Sequence, residues 1–137
     1  MTAVNTSQHF DVDADQIWKV IGNFQTLHDW HPMVSKSESK EGGTVRQLTL
    51  PDGSSVTETL KDHDDKARSY TYAITQSAMP ISNYVATIKV TPEKGGGCTV
   101  DWSSDFEAHA SESDLVKGME QLYRSGFDNL RKMFGAT

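Results

Sequence analysis

The C-terminal segment carries one continuous apolar stripe at helical spacing. Its members are Leu115, Met119, Leu122, Tyr123, Gly126, Phe127, Leu130, Met133 and Phe134. We predict a helix capped by Ser113 or Asp114, and about 20 residues at about 1.5 Å each would span roughly 30 Å. Such a stripe must be buried, and a concave sheet is the partner that the rest of the chain can supply.

Before this helix the apolar residues mostly alternate, which is typical of strands. We predict a strand at Val4–Val12, a helix capped by Asp13 with Gln16 completing a capping box, and a helical turn at Thr26–Trp30. The later predicted strands are Val34–Glu41, Val45–Leu50, Ser55–His63, Arg68–Thr75, Tyr84–Thr91 and Thr99–Ala108. Short turns between them, above all Pro51-Asp52-Gly53, predict an antiparallel meander.

Length and composition narrow the class of protein. The 137 residues suit a single domain, 1–137, and a mean hydropathy of -0.55 without a long apolar stretch predicts a soluble chain with no membrane insertion. The polar segment Met1–Phe10 does not resemble a signal peptide, and one cysteine, Cys98, suits a reducing cytoplasm. A net charge of -6 disfavours nucleic acid and anionic membranes as partners.

Strand parity places two charged residues among apolar ones. Arg46 shares the more apolar face of its strand with Leu48, and Glu58 lies between Val56 and Leu60. Counting outward from the turn pairs position 46 with position 58. A charge inside a core is costly unless it is paired. Two interpretations are therefore open: a buried pair that orients a ligand or transfers a proton, and an ordinary salt bridge at the mouth or surface.

Aromatic residues on one face of the later strands predict the wall of a cavity. Their large apolar bodies carry polar tips that need partners when buried, although plain aromatic packing explains any single one. A long helix against a curved sheet does not easily fill the space between them. The predicted wall and ligand-binding residues from the strands and the helix are Leu48, Tyr70, Tyr72, Tyr84, Trp102, Phe106, Met119, Tyr123 and Phe127.

The order strand, two short helices, six strands and long helix resembles the START-like SRPBCC superfamily. The residues that carry the resemblance are Trp30-His31-Pro32, Val45-Arg46, Glu58 and the stretch Met79–Tyr84. Within the superfamily the chain is similar to the polyketide cyclase/dehydrase-type bacterial group. It is more distantly similar to plant abscisic-acid receptors and lachrymatory factor synthases. The resemblance covers nearly the whole chain and implies an α+β helix-grip fold, a curved antiparallel sheet of about seven strands around the last helix.

The resemblance also implies roles for individual residues. It places Trp30 and His31 near the cavity mouth, as further ligand-binding candidates, although Trp30 could simply pack the short helices onto the sheet. It implies a lid at Ser77–Asn83, where the apolar Met79 would contact a ligand, although this loop lacks the Gly-Leu-Pro core of the hormone receptors. In lachrymatory factor synthases an inward Arg and Glu on these strands carry proton-transfer chemistry.

No cofactor is expected. His28 and His31 are three residues apart and could share a helix face, but no third ligand lies near them, so we predict no metal site. The chain also contains no phosphate-binding glycine loop, Rossmann fingerprint or nucleophile elbow.

Three functions remain open. The first is binding of a small hydrophobic or aromatic molecule, such as a lipid or polyketide, with Arg46 fixing a polar group. The second is a cyclase, dehydratase or isomerase with Glu58 as general acid/base and Arg46 or a tyrosine stabilising negative charge. The third is a partner-binding protein with a vestigial cavity. One inward acid with no second acid/base group near it in sequence favours the first.

Overall fold

Seven antiparallel strands form one sheet in the computed structural model, which describes residues 1–135. The strands are β1 (Thr2–Phe10), β2 (Lys36–Lys40), β3 (Val45–Thr49), β4 (Ser55–Asp64), β5 (Ser69–Gln76), β6 (Ile81–Pro92) and β7 (Cys98–Ala108). Their order across the sheet is β1-β7-β6-β5-β4-β3-β2. The helices are α1 (Ala14–Ile21) and α2 (Glu112–Met133), with short 3₁₀ segments at Phe24–Asp29 and Glu41–Gly43.

Most of the predicted apolar stripe of α2 packs against the inner face of this sheet, but Met133 at its end is 47% exposed. Met119, Tyr123, Phe127 and Leu130 are buried in one core cluster with the inward side chains of the strands. In β7 every second residue from Cys98 to Phe106 is buried, which is the period-two pattern of a strand with one face on the core. The result is the predicted α+β arrangement of one long helix held by a meander.

Both helix starts differ from their predictions. Asp13 precedes α1, but its side chain makes no capping hydrogen bond; its backbone carbonyl accepts from the Gln16 N–H instead, so the predicted capping box is not formed. Helix α2 begins earlier than predicted, because its N-cap is Ser111 rather than Ser113 or Asp114. The Ser111 hydroxyl accepts a hydrogen bond from the Asp114 N–H at 3.4 Å.

The segment predicted as a lid, Ser77–Asn83, is only partly a loop. Strand β6 begins at Ile81 rather than at the predicted Tyr84, so only residues 77–80 lie between strands. Pairing of β6 with β7 shifts register around Asn83, whose φ of 54° is left-handed. A bulge of this kind lets a strand continue through residues that are typical of turns.

Candidate functional site

A cavity of about 260 Å³ lies between the sheet and the N-terminal half of α2. Its wall is mostly apolar. The lining residues are Leu27, His31, Val34, Leu48, Leu50, Val56, Glu58, Tyr72, Ile74, Met79, Tyr84, Trp102, Asp114, Leu115, Gly118, Met119 and Leu122. Asp114 and Gly118 line the cavity and are also exposed to solvent, so its mouth lies beside the first turns of α2.

The structure brings most of the predicted residues to this cavity. Those in its wall are His31, Leu48, Glu58, Tyr72, Met79, Tyr84, Trp102 and Met119. The predicted residues that are buried beside it without lining it are Trp30, Arg46, Tyr70, Phe106, Tyr123 and Phe127. The C-terminal half of α2 packs directly on the sheet, as in the edge-to-face contact of Phe127 with Phe10, whose ring centres lie 6.1 Å apart.

Several wall residues are absent from the predicted set of ligand contacts. Val56 and Ile74 could have been added from strand parity, because each shares an inward face with a residue that was predicted, and Leu115 belongs to the helical stripe. Asp114 and Gly118 carry no such signal, since a polar residue and a glycine next to an apolar stripe usually face solvent.

Arg46 and Glu58 form a buried pair on the inner face of strands β3 and β4. They lie directly opposite each other, as predicted, and their exposed fractions are 0% and 5%. Arg46 Nε donates to Glu58 Oε1 at 2.7 Å, and Nη2 lies 2.6 Å from the same oxygen. Arg46 Nη1 donates to the backbone carbonyl of Phe24 at 2.7 Å. The pair is therefore buried and is not a surface salt bridge.

Aromatic rings enclose the guanidinium on its faces. Arg46 Cζ lies 4.0 Å from the centre of the Phe24 ring and 4.9 Å from that of Tyr72. Burial alone would lower the pKa of Arg46, but the Glu58 carboxylate raises it above its ordinary value, so the guanidinium stays charged. This enclosure keeps Arg46 out of the cavity wall, and its expected role in fixing a polar group of a ligand stays a prediction.

Glu58 is the member of the pair that faces the cavity. Arg46 contacts only its Oε1, and among residues 1–135 no group donates a hydrogen bond to Oε2. Burial raises the pKa of the Glu58 carboxyl, while the Arg46 charge opposes that rise. Glu58 Oε2 is therefore a strong hydrogen-bond acceptor available inside an otherwise apolar space.

A chain of hydroxyl groups runs beside this carboxylate. Trp102 Nε1 donates to the Tyr72 hydroxyl at 3.1 Å, the Tyr84 and Tyr123 hydroxyls are hydrogen-bonded, and Tyr123 donates to Ser104 Oγ at 2.8 Å. Burial raises the pKa of Tyr123 to about 12 and those of Tyr72 and Tyr84 well above their ordinary value. The phenols are therefore neutral. The Tyr72 hydroxyl accepts from Trp102 and reaches the Tyr84 hydroxyl only at a long 3.5 Å, so its own proton can turn to a ligand.

His31 closes the cavity from the segment after the 3₁₀ turn. Its Nε2 lies 2.7 Å from the Leu122 carbonyl and its Nδ1 accepts from the Met33 N–H at 3.1 Å. These partners require a neutral ring with the proton on Nε2. Burial lowers the pKa of His31 to about 4. Gly126 allows this close approach, since a Cβ there would lie 2.8 Å from His31 Cδ2.

Two further properties concern metals and membranes. His28 Nε2 lies 3.4 Å from Asp29 Oδ1 near the surface, whereas both nitrogens of His31 have partners in the interior. Within the described part of the chain, no three His, Cys, Asp or Glu side chains converge to hold a metal ion. No helix in residues 1–135 is long and apolar enough to cross a membrane.

Comparisons with known proteins identify the fold and a family. The sequence profile described as "Polyketide cyclase / dehydrase and lipid transport" matches residues 1–135. The protein XoxI of Bacillus cereus is 34% identical, with a TM-score of 0.95 over 98% of this chain and 96% of that one. An uncharacterised protein of Bacillus thuringiensis is 33% identical, with a TM-score of 0.93 over 97% and 98% of the two chains.

A more distant structure extends the comparison to plants. Norcoclaurine synthase of Thalictrum flavum, solved with dopamine and hydroxybenzaldehyde, is 18% identical, with a TM-score of 0.76 over 97% of this chain and 86% of that one. At this identity the likeness concerns the fold alone, and it confirms the predicted helix-grip architecture. No curated protein matches the chain significantly in sequence.

Proposed function

Because the chain belongs to the polyketide cyclase / dehydrase and lipid transport family, we propose that its cavity binds a small, largely apolar molecule. The observation that carries this proposal is an apolar cavity with one unpaired carboxylate oxygen inside it, Glu58 Oε2. Small-molecule sites commonly combine apolar walls with a few polar groups that fix orientation. At about 260 Å³ the cavity is smaller than the roughly 300–1,000 Å³ of drug-sized sites, so a molecule of one or two rings suits it.

Binding can be tested by what the purified protein carries. Native mass spectrometry of protein purified from its own host should detect a small molecule that is released on denaturation. Gly118→Leu should abolish the bound mass, because a leucine would project into the mouth, where nothing lies within 4 Å of a Cβ. Gln121→Leu is the matched control, since residue 121 is exposed on the same helix and does not line the cavity.

The outcome distinguishes binding from a vestigial cavity. If no molecule is released, and a panel of small neutral arenes leaves the melting temperature unchanged, the binding proposal fails. A partner-binding role would then be the better interpretation. Equal retention of the bound mass by Gly118→Leu and Gln121→Leu would place the molecule elsewhere on the protein.

One observation favours catalysis as a second candidate. Glu58 and Tyr72 lie on adjacent strands and are diagonal neighbours, because Ile74 is opposite Glu58 and Leu60 is opposite Tyr72. A carboxylate that accepts a proton and a neutral phenol that hydrogen-bonds an oxygen are the groups needed for proton abstraction next to a carbonyl. In this candidate function Arg46 is a positioning residue for Glu58.

The catalytic candidate has its own test. The enzyme should accelerate exchange of the α-protons of 2-tetralone in D₂O, followed by NMR. Tyr72→Phe should reduce that acceleration about 100-fold, the usual effect of removing one oxyanion donor. Tyr123→Phe is the matched control, because Tyr123 belongs to the same hydroxyl chain but does not line the cavity. No acceleration by the wild-type protein would leave binding as the function.

A further inference from the structure

The charges around the cavity restrict what can enter it. Arg46 is 0% exposed, with Nε on Glu58 and Nη1 on the Phe24 carbonyl. The cavity wall contains no arginine and no lysine within the described residues. A ligand carboxylate or phosphate would therefore find no cation to neutralise it. The free energy cost of burying such a group without a partner exceeds the binding free energy that apolar contacts in the cavity supply.

Acidic residues at the mouth of the cavity also disfavour anionic ligands. Asp114 lies on the rim, and Glu112 precedes it in the first turn of α2. The whole chain carries a net charge of -6. An approaching anion would be repelled at the rim and would then meet the Glu58 carboxylate inside.

A cationic ligand is disfavoured for a different reason. The Glu58 charge is already balanced, since Arg46 Nη2 lies 2.6 Å from Oε1. An ammonium group inside the cavity would add a third charge to a pair that has no net charge, in a space with mostly apolar walls. An uncharged donor can use Oε2 without that penalty, because hydrogen bonds to an ionised acceptor are the strong ones.

We propose that the ligand is an uncharged molecule of one or two rings that donates an O–H or N–H to Glu58 Oε2. This inference rests on the proposed function and deepens it by naming the class of ligand. It excludes free fatty acids and other carboxylates, phosphorylated metabolites and simple amines. The donor group should improve affinity about 10- to 100-fold over an otherwise equal molecule without one.

Four naphthalenes of matched size test the charge and the donor separately, by isothermal titration at neutral pH. We expect 2-naphthol, an uncharged donor, to bind about 10- to 100-fold tighter than 2-methoxynaphthalene, which can only accept. We expect 2-naphthoate to show no measurable binding and 2-naphthylmethylammonium to bind more weakly than 2-naphthol. Equal or tighter binding of either ion, or equal binding of 2-naphthol and 2-methoxynaphthalene, would overturn the inference.

A double variant tests whether Glu58 is the group that accepts the hydrogen bond from the ligand. Arg46→Met combined with Glu58→Leu removes both charges together, which buried pairs tolerate better than loss of one partner. In this variant 2-naphthol and 2-methoxynaphthalene should bind equally well. A preserved preference for 2-naphthol would show that Glu58 is not the acceptor, whereas the ligand series decides the charge question on the wild-type protein alone. If none of the four compounds binds wild type, this inference fails, whereas the proposed function is decided by the mass that the purified protein releases on denaturation.

Discussion

His31 has both ring nitrogens committed inside the protein, so adding a proton to it is unfavourable. The neutral ring fits the Leu122 carbonyl and the Met33 N–H, and burial lowers its pKa from 6.5 to about 4. The unfolded chain therefore takes up the proton at a higher pH than the folded one. The free energy of unfolding should fall as the pH drops from 6.5 to 4, by about 3 kcal/mol in all.

Comparison of two proteins isolates this effect. We expect urea denaturation at several pH values to give a steep fall for wild type below pH 6.5 and a flatter curve for His31→Gln. Glu93 and Asp11 raise the pKa of His9, but the contribution of His9 is common to both proteins and cancels in the difference. Parallel curves for wild type and variant would contradict the role assigned to His31.

A second prediction for single residues concerns the stability contributed by the Arg46–Glu58 pair. Glu58→Gln should lower the free energy of unfolding by about 3–5 kcal/mol, because it leaves a guanidinium buried without its counter-charge. Arg46→Met combined with Glu58→Leu should recover most of that loss, since no buried charge remains. Denaturation in urea measures both. A double variant as unstable as Glu58→Gln would show that the ion pair itself stabilises the fold.

Within α2, two glycines have opposite surroundings. Gly118→Ala should raise the free energy of unfolding by about 0.5–1 kcal/mol, because a Cβ there meets nothing within 4 Å and alanine favours the helix. Gly126→Ala should lower it by about 1–3 kcal/mol, because the Cβ would lie 2.8 Å from His31 and 2.9 Å from Trp30. Chemical denaturation of the two variants should give changes of opposite sign. Changes of the same sign would mean that the docking of His31 on α2 is looser than described.

The elements show which parts of the fold the sequence could predict. The pairing of Arg46 with Glu58 was predictable because side chains alternate strictly along a strand and the turn after Leu50 sets the count. The start of β6 was not, because Pro80 and Asn83 are typical of loops. A bulge at Asn83, a long-range feature of pairing with β7, carries the strand through them.

At the scale of the whole molecule, the position of the cavity could not be read from strand and helix patterns. Parity predicted that Tyr123 and Phe127 face inward, and both are buried. It could not predict how far α2 stands from the sheet at each turn. Trp102 stacks on Tyr123 at 4.4 Å and fills the space there, while the smaller Gly118 and Leu115 leave it open one to two turns earlier.

This division of the molecule into a packed end and an open end should appear in amide hydrogen exchange. The first two turns of α2 and residues 77–80, where Met79 lines the cavity, should exchange faster than the turns around Phe127. Saturation with 2-naphthol at about 100 times its Kd stabilises the bound native state by about 2.7 kcal/mol. Exchange that requires release of the ligand should therefore slow by up to about 100-fold. Among amides that exchange through local opening rather than through global unfolding, the slowing should be confined to the open end.

The same experiment on Gly118→Leu supplies the control. With its mouth filled, this variant should show the protected pattern at the open end without ligand and no further change when 2-naphthol is added. Slowing spread evenly over the whole chain would indicate that the ligand stabilises the fold globally. The segment 77–80 would then be an ordinary loop, because a segment that closes over a ligand must respond more than the core that never opens.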